Sequence, residues 1–147
     1  MMRAISVMSA ADLQSEPIDI VVLDFDYRYR RRLMMIGEKG TQFLLDLPKA
    51  VAIADGDALV LEDGNIIGVR AQSEPVAEVW VNDLEHLARI AWHLGNRHLP
   101  TQIVGDRLRI RKDHVMIDLV KSLGATVEIL EVPFHPEGGA YNHHHSD

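Results

Sequence analysis

The chain contains no cysteine. That excludes disulfides and thiolate metal sites, so any metal has to be held by imidazole, carboxylate or backbone oxygen. Aromatic residues are scarce, 5% of 147, and the core has to be built from Val, Ile, Leu, Ala and Met. No apolar run approaches the roughly 20 residues of a membrane-spanning helix. The opening MMRAISVMSAADLQSE also lacks the apolar centre of a signal peptide, so a cytoplasmic location without membrane attachment is the expectation. Cations are outnumbered: 15 Lys and Arg face 22 Asp and Glu, a net charge of −7, which argues against nucleic acid or anionic membrane as a partner. GEKGTQ lacks the spacing of a phosphate loop, and neither GxSxG nor HExxH occurs.

What is present is the balance of a globular protein, 47% hydrophobic and 25% charged. The first half reads as β throughout. IDIVVLDFDYRYRR (18–31) is β-branched and then alternates charged with aromatic residues, the pattern of a strand. RLMMIGEKGTQFLLDL (32–47) and DALVLEDGNIIGVRA (57–71) each read as a hairpin about a glycine-containing turn. These short strands predict a small sandwich or open barrel over residues 1–72, with Ser73-Glu74-Pro75 as the linker. The run Arg28-Tyr29-Arg30-Arg31-Arg32 falls on a predicted strand and reads as a solvated face or an interdomain contact.

After the linker the pattern alternates. PVAEVWV (75–81) is a strand, and Asn82 with Glu85 has the spacing of a capping box. The helix that follows carries Leu84, Leu87, Ala88, Ala91 and Leu94 as one apolar stripe, and Gly95 reads as its stop. TQIVGDRLRIR (101–111) is a hairpin. Asp113 caps a second helix with the stripe Met116, Leu119, Val120 and Leu123, ended by Gly124, and TVEILEV (126–132) is the last strand. The order βαββαβ predicts a ferredoxin-like domain over 75–134, so the fold class is α+β. The last stretch, 135–147, has no period and reads as a flexible, histidine-containing tail.

The eight histidines are the distinctive chemical set, at positions 86, 93, 98, 114, 135, 143, 144 and 145. On a helical wheel His86 and His93 fall opposite the apolar stripe, which reads as a solvated face. His98 lies beyond the helix stop, in a loop constrained by Gly95 and Pro100, where a side chain is aimed outward from a rigid scaffold. A bond to a nearby carbonyl is the competing role for it. His114 sits in the first turn of the second helix, whose positive end disfavours a protonated imidazole. The run His143-His144-His145 favours Ni, Cu or Zn among divalent ions, if it is not the remnant of a purification tag. On these residues alone a metal-dependent enzyme using His98 and His114, or a divalent-metal buffering module, stays open.

The stretch LGNRHLPTQI (94–103), between the first helix and the hairpin of a ferredoxin-like domain, resembles the UreE family of urease accessory proteins. Asp113-His114-Val115, the closing Pro133-Phe134 and Pro136-Glu137-Gly138-Gly139-Ala140-Tyr141, and the histidine-bearing tail add to the resemblance, and Trp92 stands where an aromatic often precedes the motif. The resemblance implies a nickel metallochaperone for urease maturation, not an enzyme. It implies a homodimer formed through the carboxy-terminal domain, with His98 of each copy sharing one Ni²⁺. His143, His144 and His145 would add ligands or capacity, with Zn²⁺ or Cu²⁺ as competing ions. Some members use further histidines around the hairpin and the second helix; here only His114 matches, and Lys112 occupies the upstream position. The implied partners are the urease accessory GTPase and the urease apoprotein complex.

Overall fold

A computed structural model describes residues 1–138; the histidine run 143–145 lies outside the described residues. The described residues form two compact units, 1–72 and 73–138.

The first unit holds β1 (Arg3–Met8), β2 (Asp19–Leu23), the one-turn helix α1 (Phe25–Arg28), β3 (Tyr29–Ile36), β4 (Gln42–Ala52), β5 (Ala58–Leu61) and β6 (Ile66–Ala71). Its six strands form one sheet in the order β2-β6-β5-β1-β4-β3. Val21 from one edge strand and Met35 from the other share a single buried cluster with Phe43, Leu45, Leu59 and Ile67, so the sheet curls over its own core. Of the sandwich and the open barrel that the short strands allow, this is the open barrel. Asp19 closes the gap between the edges. Its carboxylate, on β2, accepts the backbone N–H groups of Lys39 (2.9 Å) and Thr41 (3.1 Å) in the turn after β3, and the Glu38 N–H reaches the Ile20 carbonyl at 2.8 Å. Gly37 is required there, because a Cβ would stand 2.2 Å from Asp19 Oδ2.

Burial works to raise the Asp19 pKa, but hydrogen bonds from Lys39, Thr41 and Ile20 more than offset it, and the group is lowered from 3.8 to about 2. A folded value below the ordinary one means a stabilising contribution that is full above about pH 4 and lost as pH falls toward about 2. Asp19→Asn is therefore expected to flatten the acid side of a plot of urea midpoint against pH. A mutant curve falling as steeply as the wild type would contradict this.

The run 18–31 is not one strand. Asp24 accepts the Tyr27 N–H at 3.0 Å and caps α1, which breaks it. Arg28, expected on a solvated face or at a contact between domains, is wholly buried. It donates to the carbonyls of Leu23 (3.2 Å) and Ile53 (3.1 Å) and lies over the Phe25 ring.

The second unit holds β7 (Glu74–Trp80), α2 (Leu84–Asn96), β8 (Gln102–Val104), β9 (Arg107–Arg111), α3 (His114–Ser122) and β10 (Thr126–Val132). The strand order β10-β7-β9-β8 is fully antiparallel, the ferredoxin-like arrangement. Ile90 and Leu94 of α2 and Val120 of α3 pack on Ala77, Val79, Leu108 and Ile110, so both helices cover one face. The alternate residues of β7 and β9 make the other face. There Glu78 is buried between Arg107 (2.7 Å) and Arg109 (2.9 Å), and Arg107 stacks on Trp80. Burial works to raise the Glu78 pKa, and the two guanidiniums pull it below the usual carboxylate range.

Candidate metal centre

The site is built by the end of α2. That helix is capped at its start by Asp83, whose carboxylate accepts the His86 N–H at 2.8 Å, and not by Asn82. Its buried face is Leu87, Ile90, Ala91 and Leu94; Leu84 and Ala88, expected in the stripe, point outward. The wheel is thus turned from the expected one. His86 is half-buried and not on a solvated face: a ring nitrogen meets the Leu123 carbonyl at 2.5 Å, and a Cβ on Gly124 would stand 2.9 Å from its Cε1. His93 is also half-buried, edge-on to Trp92.

Gly95 does not end the helix. It lies inside α2, which continues to Asn96 with Arg97 as C-cap. The residue that turns the chain is His98 itself, at φ 55°, the one non-glycine with positive φ among the described residues. Its N–H bonds the Gly95 carbonyl at 2.9 Å and the Leu99 N–H bonds the Leu94 carbonyl at 3.1 Å. These two bonds form a Schellman motif, in which the left-handed position is normally glycine. Helix α3 ends in the same motif. Gly124 (φ 94°) takes that position, and its N–H reaches Lys121 at 3.0 Å while the Ala125 N–H reaches Val120 at 3.0 Å. One sequence thus solves one geometrical problem twice, with glycine at one helix end and histidine at the other.

A left-handed conformation costs a residue with a Cβ about 1–2 kcal/mol. His98 is held there from both sides by the Leu94 and Leu99 packing and by Pro100, with its side chain exposed. The carbonyl end of a 13-residue helix also favours a cation. The result is an exposed imidazole carried on a fixed backbone at the carbonyl end of a helix. His98→Gly is expected to stabilise this unit by about 1 kcal/mol, read as a raised urea midpoint in the fluorescence of Trp80 and Trp92. An unchanged or lowered midpoint would show that His98 carries no backbone strain.

The strand register collects further residues at the same end of the sheet. Gln102, which starts β8, pairs with Arg109 in the middle of β9, whose last residue Arg111 pairs with Val76 near the start of β7, and the end of β10 at Val132 pairs with Glu74. His98 precedes β8, and His114 follows β9 as the first, exposed residue of α3, where Asp113 caps the Val115 N–H at 2.9 Å. His86 and Gly124 lie at the opposite end.

The stretch after β10, expected to be a flexible tail from residue 135, is anchored as far as it is described. Phe134 is fully buried and Pro136 buried; the His135 N–H donates to Gln102 Oε1 at 3.1 Å and the Glu137 N–H to the Thr101 carbonyl at 2.8 Å. The alternation of Phe134 and Pro136 was the available signal for this docking. Among the described residues no three His, Asp or Glu side chains converge into a metal cage within one chain. His143, His144 and His145 lie outside the described residues.

The sequence matches the UreE urease accessory protein N-terminal domain over residues 3–72 and the C-terminal domain over 74–147. The urease accessory protein UreE of Bradyrhizobium sp. (strain ORS 278) is 56% identical over 141 residues, 96% of this chain and 67% of that protein. That of Chelativorans sp. (strain BNC1) is 49% identical over 147 residues, 100% of this chain and 91% of that one. That of Agrobacterium fabrum (strain C58 / ATCC 33970) is 43% identical over 144 residues, 98% and 89%. The chain spans about two thirds of the first relative and nearly all of the second. With both halves matched along their length, the chain belongs to the UreE family of urease accessory proteins, helpers of an enzyme rather than enzymes themselves.

Proposed function

We propose that this protein carries Ni²⁺ in the cytoplasm and donates it to urease. Two copies meet about a twofold axis through the 75–134 domain, and His98 of each copy binds one shared ion. Residues 1–72 take the partner, the accessory GTPase or the urease apoprotein complex. The tail histidines, His143, His144 and His145, load or store further ions, and His114 is a candidate for an outlying one.

The observation that carries this reading is the left-handed, exposed His98 at the carbonyl end of α2. A protein that needed only to end its helix would use glycine, as α3 does. An isologous interface is what brings one residue beside its own copy. Two imidazoles leave coordination positions open, so the ion can pass ligand by ligand to a partner, unlike the closed shell of structural zinc. Zn²⁺ and Cu²⁺ suit the same donors and compete.

The test is calorimetric titration of Ni²⁺ into the full chain and into a truncation after Tyr141. The expected outcome is one tight ion per dimer in both, with weaker ions lost from the truncation. Loss of the tight ion on truncation would move the primary site to the tail and overturn the reading.

A further inference from the structure

We infer that the groove between residues 9–18 and the outer face of β5 and β6 docks a segment of a protein partner in which apolar side chains are flanked by Lys or Arg. The inference rests on the reading of residues 1–72 as the unit that takes a partner.

Leu59 and Leu61 of β5 and Ile67 and Val69 of β6 turn into the core of the first unit. Strand alternation sends Val60, Ile66, Gly68 and Arg70 to the opposite, outer face. Residues 9–18 cross that face between two anchors. At one end Asp57 accepts the Ala10 N–H at 3.4 Å and the Ala54 N–H at 2.9 Å, which ties the crossing segment to the turn before β5. At the other end the Ile18 N–H reaches the Ile66 carbonyl at 2.9 Å, and a Cβ on Gly68 would stand 3.3 Å from Pro17. Between the anchors Gln14, Ser15 and Glu16 are exposed and make no hydrogen bond to any described residue. A span held only at its ends can adjust to an occupant.

Two cavities open along this crossing and share Leu13 as a wall. The first, of about 550 Å³, is lined by Met8, Ala11, Val60 and Ile66, with the Asp12 carboxylate among them. The second, of about 450 Å³, is lined by Pro17, Ile20 and Gly68, with Asp55 and Arg70. Cavities divided by a single side chain suit two side chains of one segment better than one compact molecule.

Charge selects the occupant. Asp12 and Glu16, on the crossing segment, are exposed carboxylates with no ion pair to a described residue. The cations of the strands beneath are already engaged: Arg3 of β1 with Asp46 at 2.9 Å and Glu62 at 3.2 Å, and Arg70 of β6 with Glu38 at 3.5 Å. The crossing segment therefore holds uncompensated negative charge beside largely apolar cavities. That combination fits Lys or Arg next to an apolar side chain and repels anionic membranes, nucleic acids and acidic segments.

The experiment uses the full chain and an array of short overlapping peptides covering the urease apoprotein and the accessory GTPase. Peptides that bind should combine apolar residues with Lys or Arg, and the strongest of them should shift the amide NMR signals of residues 11–16, 60 and 64–68. Asp12→Lys with Glu16→Lys should weaken that peptide at least about tenfold at low salt, an effect that shrinks as salt rises. Ala11→Trp, which fills the first cavity from an exposed position, should weaken it about as much. The urea midpoint stays unchanged in both variants, because all three positions are exposed. Unchanged affinity in either variant, binding of acidic peptides alone, or shifts confined to other parts of 1–72 overturns the groove and leaves that unit as the partner's seat. Failure of every peptide to bind overturns it too. If the intact GTPase and apoprotein complex then also leave the amide signals of 1–72 in place, the reading of that unit fails with it, which separates the two failures.

Discussion

Replacing His98 with alanine is expected to remove the tight Ni²⁺ from the full-length protein and leave its fold intact. In a twofold site the substitution deletes two imidazoles at once. At about tenfold to a hundredfold for each, affinity should fall by about a hundredfold to ten-thousandfold. Calorimetry would then show only weak ions, those of the tail. The fold survives because alanine at 98 meets the same left-handed backbone that histidine does, and the bonds of the helix end, His98 N–H to Gly95 and Leu99 N–H to Leu94, are backbone bonds. His98→Gly is the paired control: it should lose the ion equally while gaining stability. Binding that survives either substitution with its affinity unchanged would exclude His98 as a ligand.

Phe134→Ala is expected to cost about 3–5 kcal/mol, the usual range for emptying a fully buried aromatic site. Phe134 is 0% exposed and lies 5.6 Å from the Arg111 guanidinium, so the variant loses both burial and that contact. The expected readout is a lowered urea midpoint in tryptophan fluorescence, with faster hydrogen exchange at the amides of His135 and Glu137 as the stretch 133–138 comes away from Thr101 and Gln102. A loss under about 1 kcal/mol with unchanged exchange would mean that this stretch is held by its hydrogen bonds alone.

How much of this could be read in advance follows from the range of the interactions involved. The βαββαβ order was legible because it rests on local period and on caps such as Asp113 and Gly124. Strand β1 was not, since RAISVM is short and its parallel pairing with β4 joins residues about forty positions apart. Within 18–31 the alternation of charged and aromatic residues imitated a strand. What decides there is Asp24 capping one helical turn and Arg28 finding carbonyls in the core, tertiary facts with no local signature.

At the site, the importance of His98 was legible from its place after the helix, but the reason was displaced. Gly95 looks like the stop because glycine usually is one; it is the last residue but one of the helix, and the histidine does the glycine's work. Asn82 with Glu85 has capping-box spacing although Asp83 is the cap, and an apolar stripe drawn through Leu84 and Ala88 puts His86, which contacts Leu123, on the solvated side. The anchoring of 133–138 was missed because two buried residues in alternation are too few to make a period.

The most direct test of a shared nickel site is native mass spectrometry of the full-length protein at limiting free Ni²⁺. The expected species is a dimer carrying one nickel ion, absent from His98→Ala. A single chain that holds the tight ion alone, or a His98→Ala dimer that keeps it, would contradict the shared site.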